Sequence, residues 1–125
     1  MTTTATTNFA TLGDCLNHFQ STFNDNARVK KLIKNWERSI IVEATDTNVT
    51  MTMIISDLVM TEVREGAHAN EDNPIHLQAS QETLIRIFSG DYNPAHALID
   101  GELAVFSSEK DKVKLEAITM VIWGM

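Results

Sequence analysis

Residues 75–108, IHLQASQETLIRIFSGDYNPAHALIDGELAVFSS, predict two strands joined by a helical corner. Ser80 is a favourable N-cap for a helix over QETLIRIFS, and Gly90 stands where a helix-ending glycine is common. Pro94 fixes φ and starts a second, short turn of helix, and Gly101 leads into the strand ELAVFSS. The single glycine after the helix is a stop signal and does not form a phosphate-binding loop.

Three further strands and two helices are predicted upstream of this corner. The segments RSIIVEATD, VTMTMIISD and VMTEVREG are rich in Val, Ile, Thr and Met, as strands are. In residues 49–56 apolar and polar side chains alternate, which indicates a half-buried antiparallel strand. Ahead of the strands, apolar residues recur at helical spacing in two segments: Phe9, Leu12, Leu16, Phe19 and Phe23, then Val29, Leu32, Ile33 and Trp36.

The tail, residues 109–125, fits two structures. Its alternation up to Thr119 fits a strand, whereas Leu115, Ile118 and Ile122 fit a helix capped by Ser108. From Ala117 to the end, only Thr119 and Gly124 are not clearly apolar, and an end that is apolar nearly all round has to be buried on more than one side. The tail therefore inserts between layers, covers a cavity or meets a partner.

The order of these elements predicts the α+β class, with a mainly antiparallel sheet covered by helices. The Thr-rich residues 1–7 are predicted to be a flexible N-terminus, and residues 8–125 a single domain.

Composition and charge narrow the function classes. The chain has 125 residues and a formal charge of −7, and this acidity argues against nucleic acid as a partner. Its basic residues concentrate at 28–38 and 110–114, which predicts either solvated helix faces or transient contact with an anionic membrane surface. Cys15 is alone, the start MTTTATTN is unlike a signal peptide, and no apolar run is long enough to span a membrane. We therefore expect a cytoplasmic protein.

The sequence contains no pattern that predicts catalysis. The four histidines, His18, His68, His76 and His96, lack metal-ligand spacing. Nucleotide-binding glycine loops and a nucleophile elbow are absent. We expect no catalytic residues, no metal and no cofactor, and therefore no enzyme.

Methionines provide the one suggestive chemical feature. Met51, Met53 and Met60 lie on the predicted strands, and Met120 and Met125 on the tail. Flexible thioether side chains suit pockets for irregular apolar ligands, although they also fill ordinary cores. Both interpretations stay open on the residues alone.

Residues 38–123 resemble the sterol carrier protein type 2 family in the order and length of their elements. The matching positions are Ile75, Leu77, Leu84, Phe88, Gly90, Asn93, Pro94, Ala97, Gly101, Leu103 and Val105. The resemblance implies a non-enzymatic lipid-binding domain, with a five-stranded sheet, an apolar tunnel between sheet and helices, and a final helix at the tunnel mouth. The chain departs from the family at Ser107 and Ser108, where a glycine is common. It ends Trp-Gly-Met without the family's peroxisomal tripeptide, so the resemblance supports no peroxisomal role and transfers no sterol specificity.

We accordingly predict that the protein binds and transfers a fatty acid, fatty acyl conjugate or sterol-like ligand. The predicted lining residues are Met51, Met53, Ile55, Phe88, Leu98, Phe106, Leu115, Ile118, Val121 and Ile122. Ile99, beside Leu98, is also expected to face inward. A shift of one residue in strand register would reverse the lining on the strands. The alternative is an interaction module whose apolar tail forms a homodimer or docks on an enzyme partner.

Overall fold

The computed structural model describes residues 10–124. The predicted flexible segment 1–7, Phe9 and Met125 lie outside the described residues. The elements, in chain order, are α1 Leu12–Asn24, α2 Ala27–Leu32, β1 Arg38–Ala44, β2 Val49–Ser56, β3 Val59–Glu65, β4 Ile75–Ala79, α3 Gln81–Phe88, α4 Pro94–Ile99, β5 Leu103–Phe106 and α5 Glu109–Trp123. The tail is therefore a helix, the structure that the family resemblance implied.

The five strands form one mixed sheet in the order β3-β2-β1-β4-β5. β1 and β4 run parallel, and the other three neighbouring pairs are antiparallel. The predicted α+β class, with a mainly antiparallel five-stranded sheet and helices, is confirmed. After β3, at one edge of the sheet, the chain crosses over β2 and β1 and forms β4 on the far side of β1. This crossover makes β1 and β4 parallel.

The connection from β3 to β4, residues 66–74, is fastened to the outer face of the sheet, the face turned away from the helices. Glu71 accepts hydrogen bonds from the backbone N–H of Ser39 (2.7 Å) and from its hydroxyl (2.8 Å). Thr52 donates to the carbonyl of Gly66 (2.6 Å) and accepts from the N–H of His68 (3.0 Å). Ser39 and Thr52 are fully buried, and these bonds provide partners for their hydroxyl groups and for the N–H of Ser39.

The main core lies on the inner face of the sheet, the face turned towards the helices. Alternation directs Met53 and Ile55 of β2 into this core, each about 1% exposed. Leu12, Leu16 and Phe23 from the apolar stripe of α1 are buried in the same cluster. Within residues 10–124, no helix combines the length and apolar composition that a membrane span needs.

Side-chain caps start the helices at the predicted serines. Ser80 accepts from the N–H of Thr83 at the start of α3 (3.2 Å), and Ser108 accepts from the N–H of Asp111 at the start of α5 (3.2 Å). Gly90 follows α3 with φ +88°, a conformation that disfavours residues with a side chain.

The inward orientation predicted for Ile99 is wrong. Its side chain is 81% exposed, whereas Ala97 is the fully buried residue of α4. Ile99 is two residues after Ala97, about 200° further round the helix, so with Ala97 against the core Ile99 points to solvent.

Candidate functional site

A cavity of about 370 Å³ lies between the inner face of the sheet and the helices. The strands contribute Ile40, Met53, Ile55, Met60, Leu77, Leu103 and Val105 to its lining. The helices α1 and α3 contribute Phe19, Phe23, Leu84, Ile87 and Phe88, and α5 contributes Leu115, Ile118 and Trp123. All of these residues are apolar, so the interior excludes a charged or strongly polar guest.

Strand register aligns the lining residues of the sheet. Ile40 of β1 stands opposite Met53 of β2, and Leu77 of β4 stands opposite Val105 of β5. Since opposite residues of paired strands point to the same face, these four side chains form one continuous apolar surface. With Met60 of β3, which stands opposite Ile55 of β2, the lining extends across all five strands of the sheet.

Among the described residues of the lining, the polar ones lie only on α5 and beside α4. We call this side the mouth, formed by Asn93, Leu98, Lys112, Glu116, Thr119 and Met120. Leu98 is 41% exposed and Met120 is 62% exposed, although both also line the cavity. The cavity therefore opens to solvent between α4 and α5.

Helix α5 is fastened near its first residues by a buried charge. The Asp111 carboxylate accepts from the indole N–H of Trp36 (2.9 Å) and pairs with Arg38 (3.0 Å). Arg38 also pairs with Glu71 (3.5 Å) and donates to the carbonyl of Asn73. Through this cluster the start of α5 is tied to β1 and to the connection that crosses the outer face.

The last turn of α5 is held by aromatic packing. The indole of Trp123 lies 5.5 Å from the ring of Phe19 and 6.4 Å from that of Phe88, measured between centroids. Gly90 permits this approach, because a Cβ at that position would lie 3.1 Å from the indole Cδ1. Both ends of α5 are thus fixed, and the stretch between them forms one wall of the cavity.

The structure brings six of the ten predicted lining residues together in the cavity: Met53, Ile55, Phe88, Leu98, Leu115 and Ile118. The other four, Met51, Phe106, Val121 and Ile122, lie outside its lining. Phe106 is on the outer face of the sheet, 54% exposed and 6.1 Å from the ring of His76, because its neighbour Val105 points inward.

The remaining three residues outside the lining pack against other parts of the core. The Met51 side chain reaches α1, where its methyl lies next to Gly13. Val121 and Ile122 are half-buried and pack against the core from α5. All three contribute to packing around the cavity.

Several lining residues were not among the sequence predictions, including Phe19, Phe23, Met60, Leu77, Leu84 and Val105. The helical stripe of α1 identified Phe19 and Phe23 as buried, and alternation in IHLQA does so for Leu77. A buried position alone does not distinguish a cavity wall from a filled core, so these patterns gave no reason to select them.

In the part of the chain that the structure describes, two titratable groups have strongly shifted pKa values, and both shifts favour the neutral form. Burial raises the pKa of the Cys15 thiol to about 11, and its Sγ lies 3.7 Å from the carbonyl of Ile85. Desolvation, followed by hydrogen bonds to Asp100 (3.0 Å) and Glu102 (3.2 Å), raises the pKa of Tyr92 to about 12. Cys15 is therefore a packing residue, since a thiol must be ionised to act as a nucleophile.

No metal centre is evident in the part of the chain that the structure describes. Groups of three or more His, Cys, Asp or Glu side chains suited to hold an ion do not occur among residues 10–124. His76 instead bonds to Glu43 (3.1 Å) on the outer face of the sheet.

Solved structures of other proteins match the fold of this chain, whereas sequence comparisons find no match. No protein-family model and no curated protein matches the chain. The solution structure of sterol carrier protein domain 2 of Helicoverpa armigera matches with a TM-score of 0.63 and 13% identity, covering 90% of this chain and 87% of that chain. The solution structure of palmitated SCP2L2 from Aedes aegypti matches with a TM-score of 0.56 and 11% identity, covering 87% and 94%.

A part of one enzyme shares the same fold. The inverting sec-alkylsulfatase Pisa1 from Pseudomonas sp. matches 74% of this chain with a TM-score of 0.58 and 14% identity. The chain spans only 14% of the length of that sulfatase.

The matches to the sterol carrier structures show that the chain has the sterol carrier protein 2 fold, as the resemblance in residues 38–123 predicted.

Proposed function

We propose that the protein binds one lipid molecule in the cavity beneath α5 and transfers it without catalysing a reaction. The observation that carries this proposal is the distribution of polarity in the cavity. Its interior is apolar, and its polar residues, Asn93, Lys112, Glu116 and Thr119, occur only at the mouth. This arrangement suits an amphiphile whose chain lies inside and whose polar head stays near water.

The size of the cavity is adequate for such a ligand. A volume of about 370 Å³ is within the range of small-molecule sites in proteins, about 300–1,000 Å³. Burial of roughly ten methylenes, at about 0.8 kcal/mol each, gives about 8 kcal/mol before costs. Ordering and association costs reduce this value, so an affinity near the micromolar range is expected. Such an affinity suits a carrier, which has to release its ligand.

Two further observations support a binding function over an enzymatic one. Within residues 10–124, Lys112 and Glu116 are the only ionisable side chains in the lining, and no hydrogen bond or ion pair assembles them into an acid–base or nucleophilic pair. The similar structures include sterol carrier domains, one of them palmitated.

We place this activity in the cytoplasm, because the lone Cys15 gives no sign of an oxidising compartment.

A displacement titration tests the proposal. A fluorescent fatty acid should bind with a dissociation constant of about 1–10 μM, and unlabelled palmitate should displace it. Competition with cholesterol and with an acyl conjugate then identifies the preferred class of ligand. Absence of binding up to about 100 μM would refute the proposal. A mass that rises with protein concentration, without ligand binding, would instead indicate an interaction module.

A further inference from the structure

The cavity has a closed end at the edge strand β3. Met60 of β3, Ile55 of β2 and Phe23 of α1 line this end, and each is at most 2% exposed. We call it the blind end. It lies opposite the mouth, because the mouth is beside α4, which packs on β5 at the other edge of the sheet. A ligand that enters at the mouth therefore meets a wall after it has crossed the sheet.

Two amide side chains of α1 hold the blind end in place. The Asn24 carboxamide accepts from the backbone N–H of Met60 (2.7 Å) and donates to its carbonyl (3.0 Å). Gln20 donates to the same carbonyl (2.9 Å). An edge strand presents such groups unpaired, so these three bonds close the edge of the sheet at the residue whose side chain ends the cavity. Because both main-chain groups of Met60 are held, the wall resists displacement by a longer ligand.

The head of an amphiphile is kept at the mouth by the cost of burial. Asn93, Lys112 and Thr119 offer polar groups at the mouth, whereas the interior of the cavity is apolar. Transfer of a carboxylate from water into such an interior is strongly unfavourable. With the head at one end and a wall at the other, the cavity limits the length of the chain between them.

Two dimensions of the cavity give the same chain length. Four strand spacings of about 4.8 Å separate β3 from β5, a distance of about 19 Å. An extended alkyl chain advances about 1.25 Å per bond, so about 15 carbons span this distance. A protein cavity of about 150 Å³ holds the six carbons of benzene, about 25 Å³ per carbon. On that scale the volume of about 370 Å³ also holds about 15 carbons.

We propose that the cavity selects a single unbranched chain of about 14–16 carbons and that Met60 sets the upper limit of its length. This inference rests on the proposed function and specifies the class of ligand within it. Cholesterol, with fused rings and about 27 carbons, would need about 670 Å³ on the same scale. A lipid with two long acyl chains would need still more. Both classes are therefore excluded by size.

A chain-length series tests this inference. Saturated fatty acids from decanoate to behenate, in steps of two carbons, compete with the fluorescent fatty acid for the full chain. Each added methylene should raise the affinity about fourfold, up to about 15 carbons. Stearate, arachidate and behenate should gain nothing further or bind more weakly. Cholesterol should compete at least about tenfold less well than palmitate, because its rings overfill the cavity.

Two variants at the blind end should move the limit in opposite directions. Met60→Ala removes the outer part of the side chain but keeps the main-chain bonds to Asn24 and Gln20, so the best chain should be about three carbons longer. Ile55→Phe, opposite Met60, adds a ring at the same end and should favour chains shorter by a similar amount. A general loss of stability would weaken all chains alike and would not produce opposite shifts.

Leu103→Ala is the matched control. It removes a similar volume from the lining on β5, beside the mouth, and should weaken the binding of all chains without moving the best length. Three results would each overturn the inference and leave the proposed function standing: affinity that rises through to behenate, equal competition by cholesterol and palmitate, or the same best length in all three variants. If no fatty acid binds at any length, the proposed function itself fails.

Discussion

Val105→Trp is expected to lower the affinity for a fatty acid by a few hundredfold while leaving the fold intact. Val105 lines the cavity from β5, opposite Leu77. An indole at this position would occupy the space of about four or five methylenes of a bound chain, each worth about 0.8 kcal/mol. The added side chain enters empty volume, so it avoids the strain that overpacking of a filled core causes. The displacement titration and a thermal melt measure the two effects.

Ala104→Trp is the matched control for this variant. Ala104 precedes Val105 on the same strand, stands opposite Gln78, and points to the outer face of the sheet. The same indole placed there should leave the affinity within about twofold of the unmodified chain, because surface changes away from a site have small effects. Equal loss of affinity in both variants, or no loss in either, would show that the ligand does not occupy this cavity.

Asp111→Ala is expected to lower the free energy of unfolding by about 3 kcal/mol. The carboxylate is 12% exposed and holds both Arg38 and the indole N–H of Trp36. Removal of one partner from a buried pair typically costs about 3–5 kcal/mol, because the other charge stays buried without compensation. The remaining pair of Arg38 with Glu71, at 3.5 Å, offsets part of this cost. Urea denaturation curves of the variant and the unmodified chain, fitted with a common m-value, measure the difference in the free energy of unfolding.

Two comparisons identify the origin of that loss. Glu116→Ala removes an exposed acid from the same helix and should change the stability by no more than about 0.5 kcal/mol. In the background of Arg38→Met, Asp111→Ala should cost clearly less than it does alone, because the two residues are coupled. If Asp111→Ala is as mild as Glu116→Ala, the carboxylate does not fasten α5.

The sequence predicted the elements well because local signals mark their limits. Ser80 and Ser108 cap their helices as expected, and Gly90 adopts the positive φ that ends α3. Alternation in β2 correctly placed Met53 and Ile55 on one face, which is the inner one, but the strand is not half-buried as predicted: Thr52 on the opposite face is also fully buried, because the β3–β4 connection covers it. The tail remained ambiguous because its spacing satisfied both a strand and a helix, and contacts with α2 and β1 decide between them.

The composition of the site was less predictable, since it depends on register and on distant partners. Phe106 and Val105 are adjacent and both apolar, and only the pairing of β5 with β4 determines which of them faces the cavity. Asp111 stands in EKDK, which has the pattern of a solvated helix start. Its burial requires Arg38 and Trp36, each more than 70 residues away along the chain.

Native mass spectrometry of the protein purified without detergent shows directly whether the cavity holds a lipid. The unmodified chain should carry a mass excess that corresponds to one lipid, and organic extraction should release that lipid for identification. Val105→Trp, purified in the same way, should have the mass of the bare chain. A bare mass for the unmodified chain, together with no uptake of added fatty acid, would mean that the protein is not a lipid carrier.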